Sequence, residues 1–230
     1  MKVLVIDNNI DPHSWGARNL VRYARQQAGA NVYTRRGPSD DLPHSAVGFD
    51  RIIISGSRTS CLDHFPWVGR LEEFVRQAVD QGTPVLGVCY GHQVIARAFG
   101  GRQIVRRAEK SEFGWTRIEQ TNDSRLFQGL PKVFYSFSSH FEEVGSLAPG
   151  FRHLARSPDC EIQAVQLEQR PVFGIQFHPE KNLSEAQEIL DERVRKGGAK
   201  TLLHPKDSEK LYSPDVAERI FSNFFKIAQE

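Results

Sequence analysis

Apolar residues run almost without interruption in "KVLVI", "RIIIS" and "PVLGV", at positions 2–6, 51–55 and 84–88. Short runs rich in Val and Ile predict strands buried on both faces, as in a parallel sheet. Between them the apolar spacing changes to three and four. Leu20, Val21, Ala24 and Ala28 share one face of a first predicted helix, and Leu71, Phe74, Val75 and Ala78 one face of a second. "HQVIARAF" continues as a third helix, which Gly100 and Gly101 stop. This alternation through residue 101 predicts an α/β fold with helices on both faces of the sheet.

From about 103 to 178 the pattern breaks into short strand-like pieces, "TRIEQ", "KVFYSF", "EIQAVQL" and "PVFGIQF". They are expected to extend the same sheet or to form a small side sheet. A charged helical stretch, "LSEAQEILDERVRK", follows Glu180 and ends at a Gly–Gly break. Ser213 and Pro214 then form an N-cap and first-turn pair opening a last helix, whose apolar face carries Val216, Ile220, Phe221, Phe224 and Ile227. No repeat, low-complexity tract or linker divides the chain, so residues 1–230 read as one domain.

Composition narrows the function classes. A formal charge of +2 arises from 30 basic and 28 acidic residues mixed along the chain, which gives nucleic-acid binding no basic stripe to rest on. No apolar run approaches the ~18 residues of a membrane span. "MKVLVIDNN" turns polar too soon for a signal peptide and reads as the first strand. Cys61, Cys89 and Cys160 are an odd and scattered set, so a reducing cytoplasm is expected rather than a disulfide framework.

One of these cysteines has an unusual setting. "G-V-C-Y-G" puts Cys89 between glycines at minus two and plus two, where a strand is about to become a helix. That is the spacing of a nucleophile elbow, a sharp turn that exposes the central side chain. The helix N-terminus favours a thiolate there. A small buried hydrophobe is the alternative. A thiol nucleophile needs a base, and "VFGIQFHPEKN" offers His178 at a strand end with Glu180 two residues on. Functional groups gather at the carboxyl ends of strands in an open α/β sheet, so His178 can meet Cys89 there with Glu180 orienting the imidazole. His92, one helical turn past Cys89, reads as packing or polar support for the helix. A metal site is not expected, because no second cysteine has finger-like spacing and no H-E-x-x-H occurs.

"PVLGVCYGHQVIARAFGG" together with "VFGIQFHPE" resembles the class I glutamine amidotransferases, whose triad is Cys–His–Glu. "RIIISGSRTS" stands at the family's oxyanion strand-loop, "EKSEFGWTRIEQTNDSRLFQGL" is similar to the middle of GMP-synthetase glutaminase domains, and "FSSHFEEV" to their S-H-x-D segment. The resemblance covers residues 2 to 180 and implies a flavodoxin-like three-layer αβα fold, a mostly parallel central sheet with a small additional β region. It implies that Cys89 attacks the side-chain amide of L-glutamine, with His178 as base and Glu180 as its partner. The oxyanion would be held by backbone amides of Tyr90 and of the Gly56–Ser57 turn. Gln93, Ser139 and His140 match substrate-contacting positions. No cofactor is expected, and without a P-loop any ammonia-accepting synthetase is expected to be a separate protein chain.

Two departures stand out. Ser57-Arg58 replaces the second glycine and proline of the usual "S-G-G-P", and about 30 residues, near 181–212, are inserted before the last helix. The form "ISGSRTS…FPW" also resembles γ-glutamyl peptidases on this fold. A γ-glutamyl hydrolase, or a catalytically silent binding protein, therefore stands beside the glutaminase reading.

Overall fold

The computed structural model describes residues 1–11, 13 and 16–227. Its first half runs β1 (Lys2–Asp7), α1 (Arg18–Arg25), β2 (Asn31–Arg36), β3 (Arg51–Ile54), α2 (Pro66–Asp80), β4 (Val85–Val88) and α3 (Tyr90–Gly100). Five strands follow: β5 (Val105–Gln120), β6 (Val133–Val144), β7 (Phe151–Arg156), β8 (Ala164–Leu167) and β9 (Val172–Ile175). The chain closes with α4 (Leu183–Arg195), β10 (Leu202–Leu203), α5 (Ser208–Leu211) and α6 (Pro214–Lys226).

All the strands join one sheet. Its parallel half has the order β2-β1-β3-β4-β9, the flavodoxin-like arrangement. Beyond β9 the order continues through β8, β7 and β5 in antiparallel pairings, with β6 antiparallel to β5 and β10 parallel to β5. Residue alternation builds a core on each face. Leu4, Ile6, Ile52 and Ile54 pack with Leu71, Val75, Val94 and Ile95 under α2 and α3. Val3, Val5, Ile53 and Val88 pack with Leu20, Ile220, Phe221 and Phe224 under α1 and α6. Each such fully buried side chain contributes ~1.5–3 kcal/mol.

Several expectations change. α1 ends at Arg25, so Ala28 is exposed rather than on the helix face, because the chain turns through Gly29 (φ 70°) to enter β2. β2 has no apolar run, since it is a half-exposed edge strand. The "short pieces" include two long strands, β5 with 16 residues and β6 with 12, and β7 adds one the pattern did not predict. Ser213 precedes α6 but makes no side-chain cap bond; Pro214 alone marks the start.

The 181–212 segment has its own small core. Ala186 and Leu190 of α4 pack on Trp115 and Phe137 of the β5–β6 hairpin, beside Leu202, Leu211 and Tyr212. Asn182 and Glu185 form a reciprocal capping box that starts α4. Glu185 also accepts from Asn19 Nδ2 at 2.7 Å, tying α4 to α1.

Candidate active site

β4 ends and α3 begins at Cys89, whose backbone has φ 52° and ψ −103°. A non-glycine residue there is strained by ~1–3 kcal/mol, and only firm neighbours hold it. Those neighbours are in place. Cys89 N donates to Ile175 O at 2.8 Å, continuing the β4–β9 ladder, and Gln93 N donates to Cys89 O at 3.1 Å, closing the first turn of α3. Gly91 lets the helix lie against β3, since a Cβ there would be 2.3 Å from Ile54 O. The turn therefore sets Cys89 at the N-terminus of α3, the positive end of the helix dipole.

His178 arrives from β9. Its N–H donates to Phe137 O at 2.7 Å, pinning it to β6. Nδ1 donates to Glu180 Oε1 at 2.7 Å, and the ring stands beside Cys89, a Cβ built on Gly56 lying within 4 Å of both. Burial opposes charge on this imidazole most strongly, but Glu180 and then Cys89 outweigh it and push His178 up to about 10. For Glu180, burial alone would raise the carboxyl; His178 overcomes it and holds the group below its usual range. The fold thus brings Cys89, His178 and Glu180 together as a thiol–imidazole–carboxylate array whose carboxylate favours the imidazolium.

The β3 loop forms the facing wall. A Cβ on Gly56 would lie 3.0 Å from His178 Cε1 and 3.6 Å from Cys89 Cβ, so glycine allows the loop to approach both. Ser57 turns its side chain away from them. Its hydroxyl donates to Asn8 O at 2.8 Å and accepts from Thr59 N at 3.0 Å. That accommodates the Cβ where the usual loop has glycine. Tyr90, the first residue of α3, is buried with its ring stacked on Trp67. Arg58 extends toward α4 and pairs with Glu192 at 3.7 Å.

The other expected substrate residues divide. Ser139 is close, with its carbonyl oxygen 4.0 Å from Cys89 Sγ. The Gln93 side chain is instead enclosed, its Nε2 donating to Glu142 O at 2.8 Å and Gln176 Oε1 at 3.1 Å. The His140 ring is likewise occupied, Nδ1 with Glu142 O at 3.1 Å and Nε2 with Glu112 Oε2 at 2.9 Å. Long-range hydrogen bonds, invisible to local spacing, take both side chains into the interior. His92 packs fully buried beside Gly174, and burial pulls it down to about 3, so it is neutral.

Three residues escaped the sequence reading. Gln176 Nε2 lies 3.5 Å from Cys89 Sγ. Its position two before His178 was a usable signal, because extended residues two apart face the same way. Glu142 of β6 accepts from Ser60 Oγ and, at 2.8 Å, from Cys61 N, clamping the loop after β3. Asn8 holds the same loop through Ser55. Among the described residues, Glu112, His140 and Cys160 are the group with metal-ligand chemistry, and Glu112 is already bonded to His140, Ser157 and Gln163.

The glutamine amidotransferase class-I family model matches residues 8–196. A subunit of the glutamine-hydrolysing GMP synthase from Pyrococcus abyssi is 42% identical over 143 residues, 62% of this chain and 71% of that one. The corresponding GMP synthase subunit from Pyrococcus furiosus is 41% identical over 151 residues, covering 66% and 76%. The crystal structure of a glutamine amidotransferase from Methylobacillus flagellatus superposes with a TM-score of 0.83 over 100% of this chain and 96% of that one, at 23% identity, which speaks for the fold.

Proposed function

The chain belongs to the class-I glutamine amidotransferase family, and from that premise we propose that it hydrolyses the side-chain amide of L-glutamine to glutamate and ammonia. The observation that carries the reading is the His178–Glu180 pair at 2.7 Å, set beside a cysteine held in a strained elbow. In the proposed reaction the Cys89 thiolate attacks the amide carbon, forming the C–S bond and placing the electron pair on the carbonyl oxygen. The Tyr90 amide and one from Gly56–Ser57 receive that oxyanion, each donor contributing ~2.7–4 kcal/mol in the transition state. His178 gives its proton to the departing nitrogen, so ammonia leaves as the C–N bond breaks. It then takes a proton from water, which attacks the γ-glutamyl thioester, releases glutamate and restores the thiolate. Glu180 keeps the imidazole oriented throughout and stabilises its charged form whenever it holds the proton.

The Pyrococcus relatives are named as one subunit of a glutamine-hydrolysing synthase, which supports a synthetase on a separate chain as the ammonia acceptor. Three free thiols suit the cytoplasm; among the described residues no helix is long and apolar enough to cross a membrane. Ammonia release from glutamine and from a panel of γ-glutamyl dipeptides tests the proposal. Glutamine should turn over fastest, and Cys89→Ala should abolish release. Faster turnover of a dipeptide would move the substrate to the γ-glutamyl hydrolase class, and an active Cys89→Ala enzyme would remove the triad altogether.

A further inference from the structure

Beneath the nucleophile lies a buried chain of amides with no part in the steps above. It runs from Cys89 Sγ to Gln176 Nε2 (3.5 Å), from Gln176 Oε1 to Gln93 Nε2 (3.1 Å), and from Gln93 Nε2 to Glu142 O (2.8 Å). Connectivity fixes which end of each amide points where. The Glu142 oxygen is a backbone carbonyl and can only accept, so Gln93 must present its NH₂ group to it. The same NH₂ faces Gln176, which must therefore answer with its carbonyl oxygen. Nothing but the Gln176 NH₂ is then left to face the sulfur. His140 Nδ1 also meets the Glu142 oxygen, at 3.1 Å, and anchors the far end of the chain. Gln93 and Gln176 are almost completely buried, and the fully enclosed Gln176 amide has no water to turn toward.

A fixed N–H aimed at sulfur bonds a thiolate more strongly than a thiol, because charged acceptors form the stronger hydrogen bonds. Enclosure strengthens it further. Resting on the reading of Cys89 as nucleophile, we propose that Gln176 is a catalytic residue that donates to the Cys89 thiolate, and that Gln93 is the positioning residue that keeps it aimed there. Gln176 transfers no proton. Its bond to sulfur weakens as the thioester forms and is restored when water regenerates the thiolate.

The pH dependence of alkylation by iodoacetamide tests this, since only thiolate reacts. Cys61 and Cys160 are 0% and 1% exposed, and burial raises both thiols, Cys61 to about 12, so labelling reports Cys89. Cys89→Ala supplies the blank. In Gln176→Met the alkylation midpoint should rise, with labelling at neutral pH slowed about tenfold, as expected on losing one charge-assisted hydrogen bond. Gln93→Met, which frees the Gln176 amide to rotate, should move the midpoint the same way and lower kcat with KM held. If Gln176→Met does not fold, Gln93→Met carries the test alone. An unmoved midpoint overturns the proposal, and so does a Gln93→Met enzyme with raised KM and a wild-type alkylation profile, which would mark Gln93 as a substrate contact. Failure of the underlying glutaminase reading would appear separately, as ammonia release that survives Cys89→Ala.

Discussion

Glu180 decides the charge on His178. Burial alone drives that imidazole toward neutrality, and the carboxylate at 2.7 Å reverses the balance. Glu180→Gln should therefore lower the His178 pKa from about 10 and cut glutamine hydrolysis by ~10²–10⁴-fold, the usual worth of a positioned acid–base group. The sign is specific. The wild-type enzyme should lose the His178 proton, the proposed general acid, only as pH rises through about 10, whereas the alkaline limb of the variant's pH–rate profile should begin lower. An unmoved limb in the variant would detach Glu180 from His178. At this scale the sequence was readable where local backbone demanded it. Paired glycines around Cys89 announced the elbow, and the His–Pro–Glu order announced the pair. The enclosure of Gln93 and His140 was not legible because their partners, Gln176, Glu142 and Glu112, include residues far along the chain, and such bonds leave no periodicity behind.

At the scale of elements, the site depends on how closely α3 can approach β3. Gly91 allows that contact, and Gly91→Ala sets a Cβ 2.3 Å from the Ile54 carbonyl oxygen, a backbone atom that cannot swing aside. The helix must lift or tilt. Overpacking of this kind costs ~1–3 kcal/mol or more, readable as a lowered urea midpoint. Because α3 begins at Cys89, the proposed nucleophile, ammonia release should fall further than the stability loss explains; full activity in a folded Gly91→Ala enzyme would contradict this account. The buried strands β1, β3 and β4 were legible from continuous apolar runs. β2 was not, since an edge strand alternates weakly; β5 looked shorter than it is because its exposed stretch carries charge, and β6 because polar and charged residues are buried in its second half. The charged stretch after residue 182 reads correctly as a helix, and its small core against Trp115 and Phe137 emerges only once the β5–β6 hairpin is in place.

Across the whole molecule, the same charged pair links stability to pH. His178 has a folded pKa raised above its ordinary 6.5, so its contribution is fully present below about 6.5 and is lost as pH climbs toward about 10. Glu180 has a lowered pKa, so its contribution is present above its ordinary 4.5 and is lost on acidification. Together they stabilise the fold most between these two values. The urea midpoint should decline from pH 6.5 to 10, and His178→Ala should flatten that decline; an equal slope in both proteins would exclude the pair as its source. The register that joins β4 to β9 has a further consequence, in time rather than energy. Cys89 and Gln176 stand 87 positions apart, and His178 lies beyond both. Pairing across that distance is slow, because a long loop must close before any contact rewards it. A chain emerging from the ribosome thus carries its thiol without these partners while the next 87 residues are made, and becomes able to act on an amide only when the last strand of the parallel half threads into place beside it.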